Sequence, residues 1–254
     1  MNQLLMAEPV SKTVNAANEE KPALHIGVPV SRPPYAYLDK EKQPTGILVN
    51  AMQRVCQQMQ VTCSFDTSNP DQLLLDLQAI KLNAVLIVDN FIVPEVDKIK
   101  LTPPLCKPTP IFIQKTGTPV RSKPEDFRGS TLAVQEGSIF HIYLLDEYSD
   151  QTRLKPYPFM DNAVFDLVFG RLDALFADEA FIQSRITGTP LQGYVQFTTT
   201  RVDTTEFPTT TAMTLAVREQ DNDLFNELVT ALQTTSSGKD CAQWLATDTA
   251  KPKE

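Results

Sequence analysis

Several places in this chain set a charged or polar side chain at the end of a strand or the start of a helix, where the backbone can aim it at a ligand. Asp178 closes the apolar run LDALFA and precedes Glu179. A carboxylate there can hold an ammonium group by a charge-assisted hydrogen bond, or cap the helix that follows. Gly137 and Ser138 follow TLAVQE and open a helix. The free N–H groups and positive dipole end of such a helix suit a carboxylate, although Ser138 reads equally as a plain N-cap. Asp89 and Asn90 follow the run NAVLIV, as a ligand-facing loop or a solvated turn. Arg32 lies in SRPPYAYLD with Tyr35 and Tyr37 beside it, either a charged and aromatic pocket wall or a surface arginine next to half-buried rings. Glu95 and Asp97, in VPEVDK, read as the first turn of a helix.

Catalytic and metal signatures do not accompany these residues. The sequence has no Walker loop, no GxSxG and no HExxH. His25 falls inside a strand and His141 inside a helix, with no Cys/His/Asp cluster around either. Neither a cofactor nor a metal is expected.

The elements that must position the candidates alternate from residue 23 onward. ALHIGVPV reads as a strand, 47–59 as a helix and 61–66 as a strand. Asn69 caps the next helix, with Pro70 at its first position. NAVLIVDN is a continuous apolar run, as in a strand buried on both faces. The Pro-rich stretch 102–110 breaks the pattern, and the strand PIFIQ leads away from it. A second unit follows: TLAVQ, a helix from Ser138 to about Tyr148, a strand near 153–157, a helix at about 161–169, the strand LDALFAD and a helix over 179–186. FPTTTAMTLAVRE is extended, 220–234 is an amphipathic helix with Gly238 as its stop, and DCAQWLA is a last short helix. The β-α-β order argues for mostly parallel α/β sheets, and two such units suggest two lobes with a cleft. Ligands of open α/β sheets sit beyond the carboxyl ends of the strands, which is where Asp89, Gly137 and Asp178 fall.

Cys56 and Cys63 flank a helix end and the next strand start, close enough for a disulfide or, equally, for two buried free thiols. A bond would imply an oxidising compartment. Nothing local decides whether Cys106 and Cys241 pair. The first 22 residues are polar and aperiodic and read as a disordered lead-in. They lack the basic region and long apolar core of a secretory signal, and LLMA before Glu8 reads as the stump of one or as a plain cytosolic start. With 23 basic and 31 acidic residues the net charge is −8, which makes nucleic acid a poor partner. No apolar stretch approaches the roughly 18 residues of a membrane span.

Five segments in order and a cysteine pair, over about residues 24–245, resemble the amino-acid-binding family of periplasmic solute-binding proteins. PPYAYLDKEKQPTGILVNAMQRVCQQMQVTC resembles the opening of that family's first lobe, and its cysteine pair is similar to the disulfide of the branch that binds lysine, arginine, ornithine or histidine. LLLDLQAIKLNAVLIVDNF, LTPPL, FRGSTLAVQEGS and GRLDALFADEAF resemble later family stretches. The resemblance implies a type II periplasmic-binding fold, with a discontinuous first lobe (about 23–112 and 206–254), a second lobe (113–205) and a two-stranded hinge. It implies a monomer that is not an enzyme, works in the periplasm, captures a small amine-bearing ligand such as an amino acid, closes on it, and delivers it to the membrane permease of an ABC transporter. By the same resemblance Cys56 and Cys63 are bonded, Asp178 holds the ligand's ammonium, Ser138 its carboxylate, and Asn90 touches it. Tyr35 falls in the aromatic loop and Arg32 where an aromatic lid is frequent. The family's carboxylate-binding arginine has no counterpart: Glu95, or Val96 with a one-residue shift, stands in its place. Arg32 is the basic group in reach of the opposite wall. Two other readings on the same fold are a dehydratase-like enzyme that recruits Glu95 as an acid and a sensor that kept only the fold.

Overall fold

The computed structural model describes residues 23–30, 32–88, 98–198, 213–235 and 240–249. In chain order the first elements are β1 (Ala23–Pro29), β2 (Tyr37–Leu38), β3 (Pro44–Thr45), α1 (Ile47–Met59), β4 (Thr62–Ser68), α2 (Pro70–Gln78), β5 (Ala84–Ile87) and β6 (Ile99–Leu101). A second group follows: β7 (Pro110–Lys115), β8 (Thr131–Gln135), α3 (Ile139–Glu147), β9 (Arg153–Tyr157), α4 (Met160–Val168), β10 (Ala174–Asp178), α5 (Glu179–Ile186) and β11 (Val195–Phe197). The chain ends with β12 (Thr214–Arg218), α6 (Asn222–Thr235) and α7 (Cys241–Thr249).

Ten of these strands form two five-stranded sheets, one to each lobe, and β2 pairs with β3 in a separate two-stranded sheet. The first runs β4-β1-β5-β12-β6 and the second β11-β7-β10-β8-β9. In the first sheet β4, β1 and β5 are parallel, joined by crossover helices as their alternation requires. The expectation of mostly parallel sheets holds only there and for β10, β8 and β9. β12 returns from the other lobe and slots in antiparallel between β5 and β6, while β7 and β11 enter the second sheet antiparallel. β6 and β11, three residues each, were not anticipated, because so short a run carries no readable period.

Each sheet is covered on both faces. In the first lobe the apolar stripe of α1 (Leu48, Met52, Val55) joins Leu228 and Leu232 of α6 and Trp244 of α7 over one face. Leu73 and Leu77 of α2 cover the other face with Leu82, Val85 and Ala216. The α2 N-terminus forms as its sequence dictates: Asn69 accepts from the Gln72 N–H at 2.9 Å. At the far end of α2, buried Arg218 donates to the carbonyls of Leu77 and Leu82 and pairs with Asp221, which satisfies acceptors left open at a helix C-terminus. In the second lobe α4 and α5 lie on one face, and α3 with Phe127 on the other.

Two disulfides are present. Cys56–Cys63 joins α1 to β4, with 6.1 Å between Cα atoms. Cys106–Cys241 ties the segment before β7 to the start of α7, across 135 residues of sequence. Around that second link, Cys106 bridges Met213, Lys107 bridges Asp240, and the Cys241 N–H donates to Lys107 O at 2.9 Å. α7 also packs on α5 of the second lobe. Among the described residues no helix is long and apolar enough to cross a membrane.

Candidate functional site

Between the lobes lies a cleft with a cavity of about 270 Å³. Five elements bring polar groups to it: the loop after β1, the carboxyl ends of β8 and β10, the first turn of α4 and the last turn of α5.

The loop after β1 is held rigidly. Arg32 and Ala36 pair as an antiparallel bridge, and the Tyr35 N–H donates to Arg32 O at 2.8 Å. The first N–H groups of α1 then bind the loop, Ile47 N to Pro34 O at 2.9 Å and Leu48 N to Tyr35 O at 3.0 Å. Gly46 makes this approach possible. Its φ is +119°, and a Cβ there would sit 2.5 Å from Tyr35 O, so any side chain would push the loop away. The phenol of Tyr35 is thereby aimed across the cleft at the second lobe.

It meets Asp178. Position 178 is the last residue of β10, paired with Pro110, and its side chain is almost wholly removed from water. The Tyr35 hydroxyl donates to Oδ2, and the Thr109 N–H donates to Oδ1 at 2.5 Å. The side chain makes no hydrogen bond of capping geometry to α5, although the Phe181 N–H one turn in still favours its charged form. Burial is the dominant influence and raises the carboxyl to about 6, helped by neighbouring Glu179; the bonds from Tyr35, Thr109 and Phe181 pull the other way. Among the described residues, Asp178 is thus a desolvated acid whose donors are all neutral, with no cation in contact. Such a group gains from a cationic partner.

Arg32 also lines the cavity. Gly137 and Ser138 do not. Ser138 is fully buried and spends both halves of its hydroxyl locally, donating to Gln135 O at 2.8 Å and accepting from the His141 N–H at 3.2 Å as the N-cap of α3. Gly137, at φ +70°, makes the turn into that helix. The cavity wall in this region is Gln135 instead, with Phe140 from the first turn of α3. Asp89, Asn90 and Glu95, with the alternative Val96, lie outside the described residues, as do the lead-in 1–22 and Gly238.

The sequence reading missed the contribution of α4 and α5. Phe159 is the N-cap of α4 and makes no capping bond; it lines the cavity yet is 72% exposed. A Ser, Asp or Asn at such a position typically gains a helix about 1 kcal/mol, so an exposed ring there is a local departure that sequence alone could have flagged. Asp161 and Arg185 also line the cleft, as an ion pair with Nε 3.2 Å from Oδ1 but without hydrogen-bond alignment. The Arg185 guanidinium lies over the Phe181 ring, 5.2 Å from its centroid. Among the described residues no group of three or more His, Cys, Asp or Glu side chains could hold a metal.

Residues 24–245 match the family model described as bacterial extracellular solute-binding proteins, family 3. The chain is 26% identical over 234 residues to the ABC transporter arginine-binding protein 1 of Escherichia coli, covering 91% of this chain and 92% of that one. Two solved structures share its fold. A periplasmic binding protein of Salmonella typhimurium, described for its high arginine specificity, aligns with a TM-score of 0.59 at 23% identity, over 89% of this chain and 98% of that one. The L-cystine solute receptor of Neisseria gonorrhoeae, in its unliganded open conformation, aligns at 0.67 with 16% identity, over 84% and 86% of the two chains.

Proposed function

The chain belongs to family 3 of the bacterial extracellular solute-binding proteins, and from that premise we propose that it captures an amine-bearing solute of the amino-acid class between its lobes and passes it to an ABC permease in the periplasm. The observation that carries the reading is Asp178: a buried carboxylate at a strand's carboxyl end, facing a cavity of amino-acid size, with no cation among its contacts with the described residues. A ligand ammonium supplies that cation. Arg32, on the first-lobe wall of the same cavity, is the guanidinium suited to the ligand's carboxylate. The relative named for arginine supports an amino acid as the ligand class.

On this reading the lobes close about the hinge, and the ligand holds them closed by its greater affinity for that state. The protein acts as a monomer that delivers its ligand unchanged. Calorimetry with a panel of L-amino acids tests the proposal on wild type and on Asp178→Ala. Losing one partner of a buried charge pair costs about 2–5 kcal/mol, so the variant should bind at least roughly thirtyfold more weakly. Equal affinity of the two proteins would remove Asp178 from the site. Scattering with saturating ligand should show a smaller radius of gyration, and an unchanged radius would argue against closure.

A further inference from the structure

We infer that the cleft selects an amine with an aromatic or thioether side chain, in preference to an amino acid that carries a second positive charge. This rests on the reading of Asp178 just given and names the chemistry of the rest of the ligand.

The walls carry the argument first. Phe140, Phe159, Phe176 and Phe181, with Met160 and Met213, face the cavity. Ring edges and thioethers pack favourably against each other and against apolar ligand groups, and methionine adapts to their outline. Phe159 adds a second, independent point. It sits at a helix N-cap where a polar residue is preferred and leaves most of its ring in water. A large apolar side chain at the rim of a cavity is recovered when a ligand or the closing lobe covers it.

The charges argue the same way. Among the described residues, the carboxylates that line the cavity are Asp161 and Asp178. Asp178, in the buried interior, suits one ammonium. Asp161 faces the Arg185 guanidinium at 3.2 Å, and that guanidinium covers the face of Phe181. A second ligand cation reaching this region would meet Arg185 and compete with it for Asp161. The described walls therefore offer one anchor for an amine and an apolar lining in which Phe140, Phe176, Met160 and Met213 are buried and the exposed Phe159 ring is the part a ligand can cover, which fits an amphipathic solute.

A guanidinium can also stack on an aromatic ring, so L-arginine is the decisive competitor. The test is a calorimetric panel on the full chain with L-phenylalanine, L-methionine, L-arginine and L-lysine, repeated on Phe159→Ala. L-Phenylalanine or L-methionine should bind at least about tenfold more tightly than either cation. Phe159→Ala should weaken that preferred ligand about tenfold and leave the unfolding midpoint of the free protein nearly unchanged, because the ring is exposed. L-Arginine or L-lysine binding as tightly as the apolar amino acids, or tighter, would overturn this inference and leave the solute-binding reading intact. An unaltered affinity in Phe159→Ala would also overturn it. Binding of none of the four by folded protein would defeat both.

Discussion

The raised pKa of Asp178 makes a quantitative prediction about pH. An ammonium pairs with Asp178 only in its ionised form. With the carboxyl at about 6, nearly all molecules of the free protein hold it ionised at pH 8, and roughly a tenth do at pH 5. Apparent affinity scales with the competent fraction, so Kd should rise about tenfold from pH 8 to pH 5, with the rise setting in near pH 6 and steepening below it. Binding at pH 6 should also release about half a proton per ligand, as the protonated half of the population ionises on pairing. Calorimetry in two buffers of different ionisation enthalpy, using the tightest amino acid of the panel, measures both. Asp178→Asn is the control, because it removes this one carboxylate and leaves every other group of the protein and the ligand in place. The variant should bind weakly with a flat profile. A wild-type Kd constant within twofold between pH 5 and pH 8 would refute the reasoning, as would a pH dependence that survives in Asp178→Asn.

The same group should shape stability. Its folded value lies above its ordinary 3.8, so between about 3.8 and 6 the native state holds a proton that the unfolded chain has lost, and stability falls as pH rises through that window, by about 3 kcal/mol in all. Asp178→Asn should therefore raise the urea midpoint at pH 7.5 and change it little at pH 4; a lowered midpoint at pH 7.5 would contradict this. Arg218→Ala should cost about 2–4 kcal/mol in urea unfolding, since it strands the Leu77 and Leu82 carbonyls and leaves Asp221 unpaired. In the chain-entropy model the Cys106–Cys241 link is worth about 5 kcal/mol and Cys56–Cys63 about 2, given their separations of 135 and 7 residues. Paired serine substitutions compared by denaturant titration should rank in that order, and the reverse ranking would point to strain or residual unfolded structure instead.

Where the sequence was informative, the reason was local. Alternating apolar residues fixed β1, Asn69-Pro70 fixed the start of α2, and continuous apolar runs marked β5 and β10. The last of these runs, β10, ends at Asp178, so the acid could be picked out before any fold was known. Tyr35 and Arg32 were visible as a charged and aromatic cluster, although their reach across the cleft depends on Gly46 and the loop's bonds to α1. Ser138 shows the limit of the same logic. A helix start after a strand is a good ligand site in general, yet here the hydroxyl is consumed by Gln135 and His141, and the neighbouring strand end supplies Gln135 in its place. Pairings across long separations left no local mark. Asp161 and Arg185 meet because α4 and α5 share one face of the second sheet, and Cys106 meets Cys241 because β12 and α6 return the chain to the first lobe.

That last pairing also fixes the molecule's topology. All of the second sheet, β12 and α6 fall between Cys106 and Cys241 in sequence, so the disulfide closes them into one covalent ring from which the N-terminal part of the first lobe and α7 beyond its first residue project. A single peptide-bond cut anywhere in the ring opens it without dividing the molecule. The two pieces stay joined until the disulfide is reduced, and the second lobe keeps two covalent tethers to the first even when it unfolds. A nicked protein would then migrate as an intact chain without reductant and as two fragments with it. Within this ring, new chain ends introduced by circular permutation would leave the second lobe attached at both sides of the hinge.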